Sequence, residues 1–207
     1  MRCLGGPGRC LPWLVVILAT ARSIASEPLH DGDVIFHTSR STQSAAIQRA
    51  THSPYSHVGL VFHRNGKPFV LEAIATVRYT PLAQWTARGE QGRHVVKRLR
   101  MPMTAAQSQA LRAAAERYLG KPYDPYFEWS DARIYCSELV WKAYHDALGV
   151  DLGTRQRLRE FDLRDPAVIH KLRERYGSRI PLDESVISPA AQFNSPLLQV
   201  VKSPSGK

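Results

Sequence analysis

Apolar and polar residues alternate along two stretches of the chain, residues 57–62 and 69–73, which is the pattern of half-buried β-strands. Asn65-Gly66 lies between them and is the pair that favours a tight two-residue hairpin turn. With this pair as the loop, Arg64 pairs with Lys67, and the numbers of opposed residues add up to 131. One face of the hairpin is then wholly apolar and consists of Val58, Leu60, Phe62, Phe69, Leu71 and Ala73.

The other face of the predicted hairpin carries two titratable side chains. His57 and Glu72 are diagonal neighbours there, about 7–8 Å apart at the backbone and within reach of long side chains. Gly59 lies directly opposite Glu72 and leaves room for the approach. The register decides this arrangement, because a slip of one residue would place His57 and Glu72 on opposite faces.

A helical pattern begins at Cys136 and continues to about residue 148. Helical spacing places the thiol on a core-facing stripe, which also contains Leu139, Val140, Ala143 and Ala147. A thiol in the first turn lies near unpaired N–H groups and the positive end of the helix dipole, and both favour thiolate. However, Tyr135 is a poor N-cap, and no capping box is in register. The helix alone favours a buried structural cysteine over a reactive one.

The remaining pattern predicts one α+β domain without repeats or linkers. Thr104-Ala105-Ala106-Gln107 is a capping box, and the helix that it opens is expected to turn Leu119 inward. Asp165-Pro166 opens another helix, and residues 181–201 are expected to be mostly loop with a last strand at their end. The other predicted elements are strands at 33–37, 76–80 and 94–99, a helix capped by Ser41 or Thr42, and a helical turn around Trp85.

Residues 1–25 have the pattern of a secretory signal peptide, so the domain is expected to cover residues 26–207. Arg2 and Arg9 precede an apolar stretch, and Ser23-Ile24-Ala25 offers a small-x-small cleavage site. The apolar stretch is shorter than the roughly 20 residues of a membrane span. We therefore expect an exported protein, periplasmic or secreted, without stable membrane insertion after cleavage. An uncleaved N-terminal anchor is the alternative.

Signal cleavage changes the cysteine count. The chain has three cysteines, and Cys3 and Cys10 lie within the signal, which leaves Cys136 alone in the exported protein. A lone cysteine has no partner for an internal disulfide, so it is either paired between chains or a reactive thiol. This raises the weight of a catalytic role for Cys136.

The net charge and the distribution of basic residues bear on the partners of the protein. The net charge of +10 becomes about +7 when the signal is lost, because the signal contains three arginines and no acid. The densest basic run, residues 155–179, is interleaved with acids and is typical of a solvated surface, with contact to an anionic envelope polymer or membrane as the alternative. Aromatic and basic residues are not interleaved as in nucleic-acid readers, so no nucleic-acid partner is expected.

Cys136, His57 and Glu72 together supply what thiol hydrolysis requires: a nucleophile, a base and a group that orients the base. Each alone has an ordinary structural explanation. However, Glu72 lies among apolar residues, where an unpaired carboxylate would be costly. The chain contains no His-Glu-x-x-His, Cys-x-x-Cys, EF-hand, Gly-x-Ser-x-Gly or P-loop motif, so no metal or cofactor is expected.

Six short motifs in this order are similar to those of the YiiX/YebB-like family, the circularly permuted branch of the NlpC-type, papain-like cysteine hydrolases. In that branch the histidine hairpin precedes the cysteine helix, as it does here. The motifs are Gly32-Asp33-Val34-Ile35-Phe36, Thr51-His52-Ser53-Pro54-Tyr55-Ser56-His57-Val58-Gly59, Leu71-Glu72-Ala73, Gly120-Lys121-Pro122-Tyr123-Asp124, Tyr135-Cys136-Ser137-Glu138-Leu139-Val140 and Ile187-Ser188-Pro189-Ala190-Ala191.

The resemblance implies a role for each site residue. Cys136 corresponds to the nucleophile, His57 to the general base and then acid, and Glu72 to the residue that orients His57. Tyr123 corresponds to a tyrosine that lines the site near the oxyanion or substrate. An aromatic lid packed on Tyr126 and Phe127 is the alternative for Tyr123. The backbone N–H of Cys136 is a further candidate oxyanion donor.

The implied fold is papain-like α+β, with a small antiparallel sheet packed against the nucleophile helix on the face that carries His57 and Glu72. The expected reaction is attack of the Cys136 thiolate on an amide or ester and release of the acyl-enzyme by water or another acceptor. The resemblance leaves open a lipid-like acyl compound or a cell-wall peptide as substrate. The alternative function is a non-catalytic envelope protein that binds peptidoglycan or lipid in the same cleft. The oligomeric state is not predicted.

Overall fold

The computed structural model describes residues 27–202. The predicted signal peptide at residues 1–25 lies outside the described residues, and its cleavage stays a prediction. Within the described part of the chain, no helix has the length and apolar character needed to cross a membrane.

A six-stranded antiparallel sheet forms the centre of the molecule, with strand order β4-β3-β2-β1-β5-β8. A two-stranded antiparallel ribbon, β6-β7, lies apart from it. The strands are β1 (Val34–His37), β2 (His57–Arg64), β3 (Lys67–Ala73), β4 (Val77–Pro81), β5 (Val95–Leu99), β6 (Gln156–Arg157), β7 (Ser185–Val186) and β8 (Leu198–Lys202). The helices are α1 (Thr42–Thr51), α2 (Leu82–Ala87), α3 (Ala105–Glu116), α4 (Cys136–Leu148), α5 (Pro166–Tyr176) and α6 (Pro189–Phe193), with 3₁₀ turns at Glu90–Gly92 and Leu158–Glu160.

The β2–β3 hairpin has the predicted register. Leu60 pairs with Leu71, and Arg64 pairs with Lys67. Asn65 and Gly66 have φ angles of 50° and 72°, the left-handed values that a tight hairpin turn of this kind requires. The prediction of which hairpin residues share a face is therefore confirmed.

Helix α4 packs on the sheet as predicted, but on the opposite face from the predicted one. Its apolar side chains join the main core with Val58 and Leu60, whereas Val61 on the other face packs with Trp85 of α2. His57 lies on the face of Trp85, with the two rings stacked at 5.9 Å. Alternation along a strand identifies which residues share a face, but it does not say which helix covers that face.

Two other expectations need correction. Helix α3 ends at Glu116, and the chain after it forms tighter turns. These turns leave Leu119 44% exposed and place Tyr118 in the core instead. Residues 181–201 contain the short helix α6, which has Ser188 as its N-cap and Pro189 in its first turn. Five residues are too few for a helical period to be recognised in the sequence.

Candidate active site

Cys136 is the first residue of α4, where extended chain turns into helix. Tyr135 before it is extended, with φ −99° and ψ 166°. The Tyr135 backbone N–H donates a 3.3 Å hydrogen bond to the carboxylate of Glu138. This is one half of a capping box and corrects the expectation that none is in register. Cys136 is only 4% exposed, so its thiol lies in a nearly dry environment at the positive end of a helix.

The start of α4 is held by the segment that leads into α6. The Ser137 hydroxyl donates to the Ile187 carbonyl at 2.8 Å, and the Ile187 N–H donates to the Tyr135 hydroxyl at 3.1 Å. The Gln192 side-chain amide donates to the Ser137 carbonyl at 2.9 Å. These bonds fix the residues on both sides of Cys136, which is a supporting role that the sequence pattern did not assign to Ile187 or Gln192.

The hairpin brings His57 and Glu72 into contact. Nε2 of His57 lies 2.7 Å from Oε2 of Glu72. Gly59 lets β2 and β3 lie close together beside this pair, because a Cβ atom there would lie 2.5 Å from Val70 and 3.0 Å from the Leu71 carbonyl oxygen. His57 is 8% exposed, and Glu72 is fully buried.

The second oxygen of Glu72 has two further partners that the sequence analysis missed. The Thr80 hydroxyl donates to Oε1 at 2.6 Å, and the guanidinium of Arg88 bonds the same oxygen. A buried carboxylate needs such donors to remain charged. The contact with Thr80 follows from the pairing of β4 with β3. Thr80 lies opposite Val70, which makes it a diagonal neighbour of Glu72.

The Cys136 thiol lines the same pocket as the His57 imidazole, and its interaction with the ring raises the pKa of His57. Because Glu72 occupies Nε2, Nδ1 is the ring nitrogen left for an interaction with the thiol. The structure thus brings together all three residues predicted for the catalytic set, in the order thiol, imidazole, carboxylate. A buried structural cysteine does not require a titratable neighbour of this kind.

The charges in this set follow from its contacts. Burial lowers the pKa of His57, but its hydrogen bonds and charge interactions with Cys136 and Glu72 outweigh burial and raise that pKa to about 9. Burial raises the pKa of Glu72, but His57, Arg88 and Thr80 lower it to about 2. At neutral pH, Glu72 is therefore ionised and His57 carries a proton.

Tyr123 is positioned by a chain of two side chains from α1 and α5. Arg175 donates to Oε1 of Gln43 at 3.0 Å, which fixes the orientation of that amide. Nε2 of Gln43 then donates to the Tyr123 hydroxyl at 2.8 Å. Burial and the charge of Cys136 raise the pKa of Tyr123, so the hydroxyl keeps its proton.

The surroundings of Tyr123 bear on its two predicted roles. Tyr123 lines the same pocket as Cys136 and His57. The rings expected beneath a lid pack elsewhere: Tyr126 packs on Tyr176, and Phe127 packs on Tyr135. This placement favours contact with substrate over a lid.

Two pockets meet at Cys136 and share only Ile47 and Cys136 in their walls. The first, which we call the polar pocket, contains His57 and is otherwise lined mainly by hydroxyl and amide side chains: Ser39, Ser41, Gln43, Ser44, Ser56 and Tyr123. The second, the apolar pocket, is lined mainly by Ile47, Ala50, Phe127, Leu158, Phe161 and Val186, and no charged side chain lines it.

A second histidine, His37, lies beside His57 but forms no hydrogen bond with Cys136, His57 or Glu72. His37 is opposite His57 in the β1–β2 pair, with the ring centroids 5.1 Å apart, and packs on Trp85 at 4.1 Å. Neither ring nitrogen of His37 has a hydrogen-bond partner among the described residues. Burial and the nearby charge of His57 lower the pKa of His37 to about 2.

The model of the family described as "permuted papain-like amidase enzyme, YaeF/YiiX, C92 family" matches residues 28–202. The chain belongs to this family. The YiiX-like, permuted papain-like α+β fold predicted from the motifs is therefore confirmed, and the family places the chain among papain-like amidases that hydrolyse through a thiol.

Two relatives agree with this assignment. The chain is 52% identical over 188 residues to an uncharacterized protein YiiX of Escherichia coli K12, which covers 91% of this chain and 93% of that protein. It is also similar to the crystal structure of metalloprotein YiiX from Escherichia coli O157:H7, with a TM-score of 0.82 and 55% identity. That match covers 84% of this chain and 97% of the solved one.

That relative is called a metalloprotein. Within residues 27–202, no group of three or more His, Cys, Asp and Glu side chains is arranged to hold a metal ion. The partners of Cys136, His57 and Glu72 are instead one another, Thr80 and Arg88. The described residues do not fit a metal centre.

Proposed function

We propose that this protein is an exported thiol hydrolase that cleaves an amide or ester bond through an acyl-enzyme on Cys136. The observation that carries the proposal is the buried series Cys136–His57–Glu72, in which the imidazole lines one pocket with the thiol and bonds the carboxylate at 2.7 Å. Membership of an amidase family supports the reaction class. The signal-like pattern of residues 1–25 supports export.

In the first half of the reaction, the Cys136 thiolate attacks the carbonyl carbon and forms a C–S bond. The tetrahedral intermediate collapses when the C–N or C–O bond breaks, and the leaving amine or alcohol takes the proton of His57. Glu72 orients the imidazole and stabilises its positive charge before that transfer.

In the second half, a water molecule or another acceptor attacks the thioester. Neutral His57 removes the proton of this acceptor, the C–S bond breaks, and Cys136 leaves as thiolate beside the imidazolium. The backbone N–H of Cys136 and the Tyr123 hydroxyl are the proposed donors to the oxyanion in both halves. Because Tyr123 accepts a bond from Gln43, its own proton is free to point into the pocket.

The substrate is proposed to be a lipid-like acyl compound or a cell-wall peptide of the envelope. The test is intact-protein mass spectrometry after incubation with fatty acyl amides and with cell-wall peptides. A mass increase equal to the acyl group on the wild-type chain, absent from Cys136→Ser, is the expected result.

The alternative, a non-catalytic protein that binds peptidoglycan or lipid in the same cleft, predicts a different outcome. A binding protein would retain the intact compound in both the wild type and Cys136→Ser, with neither an adduct nor a cleaved product. That result would overturn the proposed function.

A further inference from the structure

One buried carboxylate close to the nucleophile takes no part in the proposed reaction. Glu138 lies in the first turn of α4, two residues after Cys136, and is fully buried. Its two oxygens have different partners. Oε2 accepts the 3.3 Å hydrogen bond from the Tyr135 N–H, and Oε1 lies 2.8 Å from Nζ of Lys142. Because burying a carboxylate is costly, an apolar residue would pack here at lower cost unless these contacts matter.

Lys142 connects this carboxylate to the loop that precedes α4. Its ammonium group donates to the Ser130 carbonyl at 2.7 Å and to the Asp131 carboxylate at 2.6 Å. Lys142 is itself 7% exposed, whereas the side chain of Asp131 is 74% exposed. The ammonium group is therefore held from two sides, and it holds the carboxylate of Glu138 against the backbone of Tyr135.

Glu138 acts on the residue whose carbonyl shares a peptide group with the Cys136 N–H. The N–H of Tyr135 is bonded to Glu138, and the carbonyl of Tyr135 accepts from the Leu139 N–H at 3.0 Å. A peptide group is planar, and its C=O and N–H point in opposite directions, so fixing this carbonyl also fixes the Cys136 N–H. That N–H has no acceptor within the helix and is the proposed oxyanion donor.

The segment with the second proposed oxyanion donor is bonded to the same stretch of chain. Tyr123 and Ile134 form a parallel bridge, and the Asp124 N–H donates to the Ile134 carbonyl at 3.2 Å. The backbone directly before Tyr135 is thus fixed relative to Tyr123. The bond from Tyr135 to Glu138 then fixes the same backbone relative to α4.

We infer that Glu138 is a positioning residue, which acts through Tyr135 to aim the Cys136 backbone N–H at the oxyanion. This inference rests on the proposed function, in which that N–H stabilises the tetrahedral intermediate. It separates two properties of the site. The reactivity of the thiolate depends on His57, whereas the transfer of an acyl group to the thiolate also depends on Glu138.

Two reagents separate these properties in the full chain. p-Nitrophenyl acetate acetylates a thiolate through a tetrahedral intermediate with an oxyanion, whereas iodoacetamide alkylates it by direct displacement of iodide. Neither reaction needs an acid, because nitrophenolate and iodide leave without a proton. The acetylation rate divided by the alkylation rate therefore reports on the oxyanion donors, since the fraction of thiolate cancels.

The variant Glu138→Gln preserves the size of the side chain but loses the charge that pairs with Lys142. Tyr135 is then held less firmly, and the rate ratio should fall about tenfold, which is less than the loss of a whole oxyanion donor. Alkylation should stay within twofold or rise, because loss of a negative charge near Cys136 does not disfavour the thiolate. An unchanged ratio, including a case in which both rates fall together, would overturn the inference.

Asp146→Asn is the matched control, because it removes one negative charge from the same helix. Asp146 lies at the surface of α4 and pairs with Arg117. Its rate ratio should equal that of the wild type. An equal fall in Asp146→Asn and Glu138→Gln would overturn the inference, because the effect would then come from the charge of the helix and not from the contact with Tyr135. Urea unfolding checks that both variants are folded.

Protonation of Glu138 provides the same test in the wild-type chain. Burial and the charge of Asp124 raise the pKa of Glu138 to about 7, against the opposing effects of Lys142 and the Tyr135 N–H. The phenols of Tyr118 and Tyr135 also face this carboxylate, and burial raises the pKa of both, so they keep their protons. Glu138 therefore loses its charge as pH falls through about 7.

The wild-type rate ratio should thus fall about fivefold between pH 8 and pH 6, and it should stay constant in Glu138→Gln. His57, with a pKa of about 9, stays protonated over this range. If Glu138→Gln does not fold, the wild-type series decides, and a ratio that is independent of pH overturns the inference. Failure of p-nitrophenyl acetate to acetylate the wild type faster than Cys136→Ser would instead contradict the proposed function itself.

Discussion

Two histidines lie opposite each other on neighbouring strands, and their surroundings give them opposite charge states. His37 and His57 are both buried, and their ring centroids are 5.1 Å apart. The pKa of His57 is raised to about 9, while that of His37 is lowered to about 2. Burial acts in the same direction on both, because it disfavours the charged ring.

The difference between the two rings comes from their partners. His57 contacts a carboxylate and a thiol, whereas the ring of His37 packs on Trp85 without a hydrogen bond among the described residues. A protonated His57 also disfavours a second charge on its neighbour. This contrast supports a catalytic role for one histidine and a packing role for the other.

The largest expected effect comes from removing the paired histidine. His57→Ala should lower the turnover of an amide or ester substrate by about 10²–10⁴-fold, since it removes both the acid and the base. His170→Ala, at a side chain that is 81% exposed, is the control and should retain wild-type turnover. Steady-state kinetics with a fatty acyl amide measures both, and a loss of less than tenfold in His57→Ala would contradict the assigned role.

Removing only the carboxylate charge should make His57 resemble His37. The imidazolium is the form that donates the proton, so the rate of amide acylation should fall as pH rises through the His57 pKa of about 9. In Glu72→Gln the ring loses a charge that raises its pKa. The pH at which the rate falls should therefore be lower than in the wild type, and turnover should be reduced because the ring is less well oriented.

A pH–rate profile from pH 5 to 10 measures this shift. Glu128→Gln, at an exposed position, is the matched control, and its rate should fall near pH 9 as in the wild type. If the rate of Glu72→Gln falls at the same pH as that of the wild type, the carboxylate does not set the charge of His57.

A smaller effect is expected from the chain that positions Tyr123. In Gln43→Glu the new carboxylate accepts the Tyr123 proton instead of donating to the hydroxyl, so the tyrosine is turned away from the oxyanion. The acylation rate should fall about tenfold, comparable with the loss of a weak oxyanion donor.

Double-mutant analysis separates this role from a merely structural one. In a Tyr123→Phe background, Gln43→Glu should have little further effect on kcat, because the hydroxyl that it redirects is absent. Gln109→Glu on the exposed side of α3 is the control for the added charge. Fully additive effects would contradict the proposed link between Gln43 and Tyr123.

The smallest effect is expected from the histidine without hydrogen bonds. His37→Leu removes two buried nitrogens that lack partners, which offsets the lost ring contact with Trp85. The free energy of unfolding in urea should stay within about 1 kcal/mol of wild type or rise, and turnover should stay within threefold. A tenfold loss of turnover would show that His37 contributes to the chemistry.

The His57–Glu72 half of the site could be predicted from the sequence because its geometry is local. Strict alternation and Asn65-Gly66 fix the register, and the register places the two side chains together. The face covered by α4 could not be predicted, because it depends on packing between elements that are far apart in sequence.

The supporting residues were missed for the same reason. Arg88 reaches Glu72 from the turn after α2, and Arg175 reaches Gln43 from α5. The chain has many arginines, and their spacing in the sequence does not distinguish Arg88 and Arg175 from arginines on the solvent-exposed surface. Gln192 bonds the start of α4 from a helix too short to be recognised. The role of Ile187 likewise depends on a tertiary contact.

The central claim is that His57 holds Cys136 in a charge-paired, reactive state. The most direct test is the rate of carboxamidomethylation of Cys136 by iodoacetamide between pH 5 and 10, in the wild type and in His57→Ala. The wild type should react readily at pH 6, and His57→Ala should react at least tenfold more slowly there and reach the same rate only at high pH. Identical profiles that rise only at high pH in both proteins would contradict the account.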